Sequence, residues 1–570
     1  MSGTHSHEAH PELSKSGGVR ARPGSADVTR RRAIAAFGVI CIAELLIVLD
    51  MTIINVALPS IGIELQTGIS GLQWVVDAYT LTFSGLLLAF GNLGDRYGRK
   101  LFLLVGLTGL AAAAMIGALG DSLEQVLLSR AVMGVFAAMV LPATLAVITN
   151  LFPAPKDRAL AIGVWSSIAG VAVAIGPISG GWLLEHFSWQ SVFWLNLPVA
   201  VVAVILVALI VPESKASVVG PLDVPGVILS IIGVTLLVFV VIEAPKFGWI
   251  SLFTIGGFLL SVAFLVAFVI RERRISSPVL DVSLFKIRPF AWPAISIAVG
   301  FFSLFGFLFL ITQYFQGVRE YSPLAFGIVT LPFAAALAVS SPAATIIAQK
   351  IGTMPVLVTG LILIGAGLLV AGQVEIDSSY LTLVLPAMLL LAVGIAIIQG
   401  PATESIMSSL PLDEAGAGAA VNDTTREVGG TLGVAVLGSI VASYYVSTVR
   451  PLVDNIPSAI MNETEKGYAE SSVLSVIEIQ KRDLPSMFEP QRAQLILEMK
   501  EAALRGSSIA AYVAAGAVFV CAAFVFFFFP AKYRTTGMLA IDTEPAPTAD
   551  SAATETGDAE NSSSTDGAAR

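Results

Sequence analysis

The sequence predicts an all-α membrane protein that crosses the bilayer about fourteen times, and three observations lead to this prediction. Of its 570 residues, 55% are hydrophobic and only 13% are charged, and the mean hydropathy of +0.83 is too high for a soluble globular protein. Apolar runs long enough to form spanning helices recur along the whole chain. Short motifs of the first part reappear, in altered form, in the second part.

A helix needs about 20 apolar residues to cross the hydrocarbon core of a bilayer. The first such run lacks the small-residue cleavage pattern of a signal peptide, so we expect the protein to retain it as a span. By the same criterion the predicted spans begin near Ala33, Trp74, Leu101, Gln125, Ala159, Val192, Val224, Ser251, Phe290, Leu324, Pro355, Leu381, Gly418 and Ser507.

Basic residues in the short loops predict the orientation, because they favour the cytoplasmic side. With the N-terminus inside, the short outer loops hold only Lys246 and Arg319. The short inner loops then hold Arg96, Arg99, Lys100, Lys156, Arg158, Lys215, Arg271, Arg273, Arg274, Lys286, Arg288 and Lys350. We therefore expect a multi-pass protein of the cytoplasmic (inner) membrane with both termini in the cytoplasm.

An internal repeat divides the predicted spans. The run from Leu141 to Thr144, LPAT, near the end of the fourth span is matched by the run from Gly400 to Thr403, GPAT, near the end of the twelfth. Two parallel bundles of six spans, separated by a two-helix insertion, explain this offset. We expect a disordered cytoplasmic tail at 1–32, a first bundle at 33–212, a linker hairpin with its loops at 213–289, a second bundle at 290–530 and a disordered cytoplasmic tail at 531–570.

The segment 449–505 is the one long loop predicted on the outer side. Its runs SSVLSVIEIQ and QRAQLILEMKEAAL have helical periodicity, which favours an external helical hairpin within the second bundle. A solvated extension on the surface is the alternative.

Several classes of function find no support in the sequence. The two cysteines lie in apolar runs, and no spacing indicates a metal site. The net charge of -9 comes largely from the C-terminal tail and one long loop, and it gives no reason to expect a nucleic-acid partner. No catalytic Ser/His/Asp grouping and no ATP-binding P-loop stands out. We expect a monomer that is not an enzyme and has no catalytic residues, metal or cofactor.

A charged turn, GNLGDRYGRK, joins the second and third predicted spans. Basic residues that hold an inner loop in the cytoplasm are one explanation for it. The full spacing resembles the signature between these spans in the major facilitator superfamily. The resemblance implies a gating loop whose carboxylate and arginines hold the cytoplasmic sides of two domains together. The matching residues are Gly91, Asp95, Arg96, Gly98, Arg99 and Lys100.

The first span carries two carboxyl groups, Glu44 and Asp50. Charged side chains inside spans are costly, so each is a functional candidate, with a permanently hydrogen-bonded carboxylate as the alternative. Burial disfavours the anion, which lets a carboxyl group exchange protons near physiological pH. The stretch LDMTIINVALP, from Leu49 to Pro59, resembles a signature of the fourteen-span drug:proton antiporters. Glu44 lies outside that signature.

Two further motifs resemble the same family. Arg130 is similar to its fourth-span arginine, which the resemblance implicates in proton transfer; neutralisation by Asp77 of the second span is the alternative. The G-P-x-x-G-G pattern of the fifth span resembles the antiporter signature, although an ordinary packed proline kink would have the same residues. Its members are Gly176, Pro177, Gly180 and Gly181.

The second half carries Glu404 in the twelfth span and three charged residues in the thirteenth, Asp423, Arg426 and Glu427. Asp423 and Glu427 share a helix face, and Arg426 is near enough to pair with Asp423. Such a pair leaves Glu427 as a net anionic group, which suits a lipophilic cation when aromatic residues are near. An internal salt bridge without a role in binding is the alternative.

These residues and the resemblance lead us to expect the major facilitator fold and a proton-coupled antiporter that exports lipophilic, cationic drugs or toxic compounds by alternating access. Its expected partners are an amphipathic small molecule, protons and membrane lipid. Export of an endogenous metabolite, lipid or self-made antibiotic by the same mechanism is the alternative, and a receptor or docking platform is a third reading. The candidates for proton coupling and substrate binding are Asp50, Glu44, Asp77, Arg130, Glu404, Asp423 and Glu427.

Overall fold

The computed structural model describes residues 23–152, 154–215, 223–275, 278, 280–409, 415–456, 461–481 and 489–530. These ranges contain helices and no strand. Thirteen of the helices are long and apolar enough to cross a membrane. A further helix of 32 residues, Pro155–His186, lies at the fifth predicted span. A long helix therefore lies at each predicted span.

The first six long helices form one half of the molecule. Ser122 begins the fourth of them by accepting a hydrogen bond from the Gln125 backbone N–H, as helix N-cap residues do. The six helices are α1 (Pro23–Glu64), α2 (Ile69–Tyr97), α3 (Arg99–Ala118), α4 (Leu123–Leu151), α5 (Pro155–His186) and α6 (Ser191–Ile210).

A hairpin of two helices follows, and the second half comes after it. Two π-helical segments, Gln313–Val318 and Tyr380–Val384, extend helices of the second half. The remaining helices are α7 (Val224–Phe247), α8 (Leu252–Glu272), α9 (Arg288–Thr312), α10 (Pro323–Ile351), α11 (Thr353–Ala371), α12 (Leu385–Ser408), α13 (Ala415–Asp454), α14 (Glu463–Ser471), α15 (Ser475–Gln480) and α16 (Glu489–Phe528).

The two halves pack their helices in the same way. In the first half α2 packs on α4, α3 on α4 and α6, and α1 on α5 and α6. In the second half α10 packs on α12, α11 on α12 and α16, and α9 on α13 and α16. The turns α2–α3 and α10–α11 also correspond, because each turns at a glycine with positive φ, Gly98 at 131° and Gly352 at 95°. The sequence repeat is thus also a repeat of helix packing.

The hairpin α7–α8 lies beside the junction of the halves, where α7 contacts both α2 and α13. Ser439 of α13 donates to the Val241 carbonyl of α7 at 2.7 Å. At the other end, Asp223 just before α7 accepts hydrogen bonds from Arg271, whose Nη2 lies 2.6 Å from Asp223 Oδ1. These bonds hold the pKa of Asp223 below its ordinary value, so the two ends of the hairpin stay joined at neutral pH.

We call the end of the bundle that holds residues 461–481 the cap side, and the opposite end the terminus side. Helix α1 begins on the terminus side at Pro23, within the segment 1–32 that was predicted to be disordered. Residues 1–22 and the predicted tail 531–570 lie outside the described residues. The domain boundaries at 212, 289 and 530 stay predictions.

The prediction of an external helical hairpin within 449–505 is wrong for its second helix. The run that was expected to form its second helix is instead the start of α16, which continues without interruption for 40 residues into the last span. The cap, residues 461–481, holds the two short helices α14 and α15. Apolar cap residues such as Leu474 and Val476 are fully buried, so this segment is packed onto the bundle and is not a solvated extension.

Candidate functional site

Asp50 lies on α1 with its carboxylate enclosed by side chains of other helices. Arg130 Nη1 of α4 lies 2.6 Å from Asp50 Oδ2, and Asn196 Nδ2 of α6 donates to Asp50 Oδ1 at 2.6 Å. Arg130 also donates through Nε to the Val75 carbonyl at 3.1 Å, and its guanidinium lies 4.3 Å from the centre of the Tyr79 ring. Because Asp50 and Arg130 are 2% and 1% exposed, the pair is shielded from bulk water.

Asp77 does not neutralise Arg130, which was the alternative raised by the sequence. Its side chain is fully buried, and Thr80 Oγ1 lies 3.5 Å from its Oδ1. The other oxygen, Oδ2, has no hydrogen-bond partner in the described part of the chain. Asp77 is therefore a proton-exchange candidate separate from the Asp50–Arg130 pair.

A second group of charges lies on the terminus side of Asp50. Glu44 precedes Asp50 by about 9 Å along the axis of α1, and it interacts electrostatically with Asp423 and Arg426 of α13. Arg426 Nη1 lies 3.7 Å from Asp423 Oδ1, and Glu427 interacts with the same two residues. Three carboxyl groups drawn from both halves therefore share one arginine. We call Glu44, Asp423, Arg426 and Glu427 the acidic cluster.

The acidic cluster is more open than the Asp50–Arg130 pair. The side chains of Asp423 and Arg426 are 23% and 22% exposed. One carboxylate oxygen each of Glu44 and Glu427 has no hydrogen-bond partner among the described residues. Arg426 lies 5.4 Å from the centre of the Phe301 ring, so an aromatic face borders the cluster. Asp423 and Arg426 thus form the exposed part of the cluster, whereas the unpaired oxygens of Glu44 and Glu427 are buried.

Glu404 of α12 is not part of the acidic cluster by any contact described in the structure. It is half-buried, and its Oε2 has no hydrogen-bond partner in the described ranges. The neighbouring Thr403 accepts a hydrogen bond from Arg426 Nη2 at 3.2 Å. Glu404 therefore lies beside the cluster rather than within it.

Tyr79 of α2 connects the two charged groups. Its ring lies under Arg130, and its hydroxyl interacts electrostatically with Asp50, Glu44 and Glu427. That hydroxyl has no hydrogen-bond partner among the residues described. The Asp50–Arg130 pair and the acidic cluster are thus within electrostatic reach of one another, and protonation in one changes the field in the other.

The gating loop predicted between α2 and α3 makes the contacts described for it within the first half. Arg99 Nε lies 2.6 Å from Asp95 Oδ1, and Arg99 Nη1 donates to the Ala146 carbonyl of α4 at 3.1 Å. Lys100 Nζ donates to the Ala208 carbonyl of α6 at 2.7 Å. The arrangement ties α2, α3, α4 and α6 together on the terminus side. Whether Gly91, Arg96 and the rest of this loop gate the molecule stays a prediction.

The glycines of the fifth-span motif allow close contacts on the cap side. A Cβ at Gly176 would lie 2.1 Å from Thr52 Oγ1, and one at Gly180 would lie 2.6 Å from Ile53 Cγ1. Gly181 faces the other half, where a Cβ would lie 2.6 Å from the Leu324 Cα of α10. The motif thus packs α5 against α1 and against the start of α10.

Pro177 belongs to the same contact. Its carbonyl oxygen would lie 2.4 Å from a Cβ at Gly327 of α10, so glycine is needed on both helices. Nearby, Ser322 Oγ donates to Glu185 Oε1 at 2.5 Å across the same junction. The backbones of α5 and α10 therefore touch on the cap side.

Two buried glutamines, which the sequence analysis did not identify, form hydrogen bonds between the halves on the cap side. Gln73 Nε2 of α2 donates to the Val434 and Ala435 carbonyls of α13 at 3.0 and 2.8 Å. Gln316 Nε2 donates to the Val56 carbonyl of α1 at 3.0 Å. Amides inside apolar runs were a usable signal, because polar side chains in spans usually bond across helices. The structure is therefore closed on the cap side.

A family model and the similar proteins found for this chain agree with one another. A family model described as the Major Facilitator Superfamily matches residues 40–434. Multidrug efflux pump LfrA of Mycolicibacterium smegmatis is 34% identical over 445 residues, which cover 78% of this chain and 86% of the relative. Puromycin resistance protein pur8 of Streptomyces alboniger is 34% identical, covering 77% and 87%. Methyl viologen resistance protein SmvA of Salmonella typhimurium is 30% identical, covering 87% and 97%.

A solved structure supports the fold. A bacterial homolog of the human lysosomal transporter Spinster, in an inward-facing and unoccupied conformation, has a TM-score of 0.58 and 15% identity to this chain. The match covers 87% of this chain and 98% of that chain. At this identity the likeness shows the fold alone, and it confirms the predicted fold class.

Proposed function

This chain belongs to the Major Facilitator Superfamily, and on that premise we propose that it exports lipophilic, cationic compounds across the cytoplasmic membrane in exchange for protons. Relatives named as a multidrug efflux pump and as a resistance protein support export of toxic small molecules. The observation that carries the proposal is the acidic cluster, because both halves contribute carboxyl groups to it.

The chemistry of the cluster favours a positively charged ligand. Glu44, Asp423 and Glu427 are near one guanidinium among the described residues, that of Arg426, so two negative charges are left for a ligand when all three carboxylates are ionised. Phe301 adds an aromatic face beside it, which attracts organic cations through its ring electrons. The relative named for methyl viologen, a dicationic compound, supports the same class of substrate.

The closed cap side and the partly exposed acidic cluster support alternating access as the mechanism. With the orientation predicted from the basic loops, the terminus side faces the cytoplasm and both termini lie there. A cation then reaches the cluster from the cytoplasm. When the cap side opens, protons from outside compete with the cation for the carboxyl groups and release it. The protonated protein returns and loses its protons to the cytoplasm.

In this proposal, protonation of Asp50 changes the contacts that Asp50 and Arg130 make between helices. The ionised carboxylate holds Arg130 of α4 and Asn196 of α6 against α1. A proton on Asp50 removes the charge that binds Arg130, so packing among these helices becomes looser and the guanidinium turns toward other acceptors. Exchange of one proton for a monovalent cation is electroneutral, whereas each additional proton draws about 2.3 kcal/mol from 100 mV of membrane potential. We propose that the protein carries out this exchange as a monomer.

The direct test is uptake of a fluorescent lipophilic monocation into inside-out vesicles that contain the protein. An acid interior should drive uptake, and collapse of the pH gradient should abolish it. Glu427→Gln should reduce gradient-driven uptake about tenfold or more, because a lost charge interaction of about 1.4 kcal/mol changes affinity by that factor. Glu375→Gln is the matched control, since Glu375 is an exposed acidic residue far from the cluster.

Two outcomes would contradict the proposal in different ways. Uptake that persists after the pH gradient collapses would exclude proton coupling. Absence of uptake for a broad panel of cations, together with uptake of an uncharged or endogenous compound, would instead favour the alternative substrate class and leave the antiport mechanism in place.

A further inference from the structure

Two adjoining cavities lie within the second half on the cap side, away from the acidic cluster. The first contains about 570 Å³ of space without protein atoms, part of it open to the surroundings, between α9, α11, α12, α13 and α16. The second contains about 360 Å³ of such space and reaches Ile69 at the start of α2. Leu310, Tyr314, Leu504 and Ser507 line both. The two cavities therefore adjoin each other, and we call them together the chamber.

The first cavity is suited to an apolar group. Its walls are mostly aliphatic and aromatic, and no charged side chain lines it. The hydroxyls of Ser507 and Ser508 donate to the carbonyls of Ala503 and Leu504 on their own helix, so they do not call for a polar ligand. An alkyl chain fits this environment because it loses contact with water or headgroups without leaving a polar atom unpaired.

The second cavity holds one polar side chain without a partner. Gln313 is 8% exposed, and neither its Oε1 nor its Nε2 has a hydrogen-bond partner among the described residues. It begins the π-helical segment Gln313–Val318, a type of turn that is frequent at functional sites. A buried amide is costly when its donor and acceptor are unpaired. A bound molecule with both an acceptor and a donor would pair both atoms of the Gln313 amide.

The neighbours of the chamber indicate the source of a ligand. Helix α16 presents Ile509, Tyr512 and Val513, which are 40%, 44% and 50% exposed, on the face next to the lining residues Ser508 and Ala511. This part of α16 precedes its last turns by about 25 Å, which places it in the cap-side leaflet. Val473 of the cap also lines the second cavity. The chamber therefore lies next to the acyl chains of that leaflet.

We propose that this chamber binds an uncharged single-chain lipid from the cap-side leaflet. The alkyl chain occupies the first cavity, and a hydroxyl or ester head group forms hydrogen bonds with Gln313. The absence of a charged residue from the linings of both cavities excludes a phosphate, carboxylate or ammonium head group from the fit. The bound lipid supports the cap through Val473, and it is distinct from the exported cation.

Photolabelling of the full-length protein in lipid nanodiscs tests this site. The probe is a monoacylglycerol whose acyl chain carries a diazirine, and mass spectrometry locates the labelled residues. Labels should concentrate on the segments that line the chamber, near residues 307–314 and 504–511. A tenfold excess of unlabelled monoacylglycerol, about the amount that leaves one site in ten labelled, should suppress them.

Variants with matched controls test whether the labels depend on the chamber itself. Ala511→Trp fills the first cavity and should remove the labels there. Gln313→Leu keeps the side-chain volume, and it should weaken labelling about fivefold, the effect of one net hydrogen bond. Val513→Trp adds the same ring on the lipid-exposed face of the same helix and should leave the labels unchanged. A probe of the same chain with a carboxylate head should label the chamber weakly.

Labels spread evenly along the lipid-exposed faces and unaffected by Ala511→Trp would overturn the proposal. Equal labelling by the neutral and carboxylate probes would overturn the assignment of the head group. If both variants fail to fold, the competition in the unaltered protein decides, because labels that excess monoacylglycerol does not suppress would exclude a specific site.

Discussion

The ion pair of Asp50 and Arg130, together with its hydrogen bonds to Val75 and Asn196, joins four helices of the first half. A buried pair adds little net stability, since desolvation offsets much of the attraction between the charges. Removal of one partner is costly, because the other charge then remains buried and uncompensated. The pair therefore contributes less to net stability than its 2.6 Å separation suggests.

Asp50→Asn should lower the thermal unfolding temperature of the purified protein more than Asp50→Asn combined with Arg130→Met. The single variant leaves Arg130 uncompensated at a cost of roughly 3–5 kcal/mol, whereas the double variant removes both charges. Both should abolish proton-driven uptake. Asp121→Asn, at an exposed loop position, is the control that should change neither measurement. A double variant less stable than the single one would contradict this account.

The sequence indicated most residues of the candidate site but not their partners. Asp50, Glu44, Arg130 and Asp423 are conspicuous because charges are rare in spans. Sequence spacing gave the Arg426–Asp423 pair correctly, because both residues lie on one helix. It could not give the pairing of Asp50 with Arg130, since that contact depends on how α1 packs against α4.

At the scale of helices, the glycine motif of α5 determines how closely the halves approach on the cap side. Gly181→Ala should weaken the contact of α5 with α10, because the added Cβ would lie 2.6 Å from backbone atoms that cannot move aside. A cysteine at Ile53, which is 1% exposed, should then react faster with a membrane-impermeant maleimide applied from outside. The test uses a background in which Cys41 and Cys521 are replaced.

The control for Gly181→Ala is Gly256→Ala, because a Cβ at Gly256 meets nothing within 4 Å. It should leave the reaction rate at position 53 unchanged. If Gly181→Ala also leaves the rate unchanged, the α5–α10 contact does not determine closure of the cap side.

Glu320, in the loop between α9 and α10, makes the packing of α16 depend on pH. Burial raises the pKa of its carboxyl group, but hydrogen bonds from Lys500 at 2.5 Å and Gln480 at 2.9 Å outweigh burial, and the pKa lies below its ordinary value. The stabilisation is therefore complete above about pH 4.5 and is lost as pH falls through the lowered pKa.

Hydrogen exchange of residues 489–500 measures this effect. After correction for intrinsic rates, protection should be constant from neutral pH down to about pH 4.5 and should decrease below it. Glu320→Gln should reduce protection at neutral pH and remove the decrease. Glu501→Gln is the control, because Glu501 pairs only with Arg505 of the same helix in the contacts described. The same pH profile in Glu320→Gln would exclude Glu320 as its cause.

The positions of the spanning helices could be predicted because hydropathy and helix length are local properties. The segment predicted on the outer side, residues 449–505, was harder to predict from the sequence. Periodicity identified QRAQLILEMKEAAL as helical, but it could not show that this helix continues into the last span, because the charges of the run suggested a separate external element. The burial of Leu474 depends on contacts with both halves, which no local pattern reveals.

For the whole molecule, the structure is one of the two states that alternating access requires. On the cap side, α2 contacts α13, α5 contacts α10, and Gln316 bonds to α1. Spin labels at Phe187→Cys and Leu381→Cys, exposed cap-side positions of the first and second halves, should show two distances during proton-driven transport. The shorter distance corresponds to this structure, and double electron–electron resonance measures both.

Labels at Leu119→Cys and Phe187→Cys, both in the first half and both exposed, should show one unchanged distance. A single distance for the pair that spans the halves, under every pH gradient and with every substrate, would contradict alternating access of the halves as rigid units. The fold class and the repeat were predictable at this scale. The conformational state was not, because the same sequence forms both states.

The uninterrupted helix α16 has a mechanical consequence. Its 40 residues extend about 60 Å, roughly twice the thickness of the hydrocarbon core, so its first part projects from the bilayer as a lever. With an arm of about 24 Å, a change in helix tilt of about 10° would displace the first residue of α16, and the cap helix α15 that packs against this helix, by about 4 Å. A small rotation of the second half within the membrane is thereby converted into a larger movement outside it.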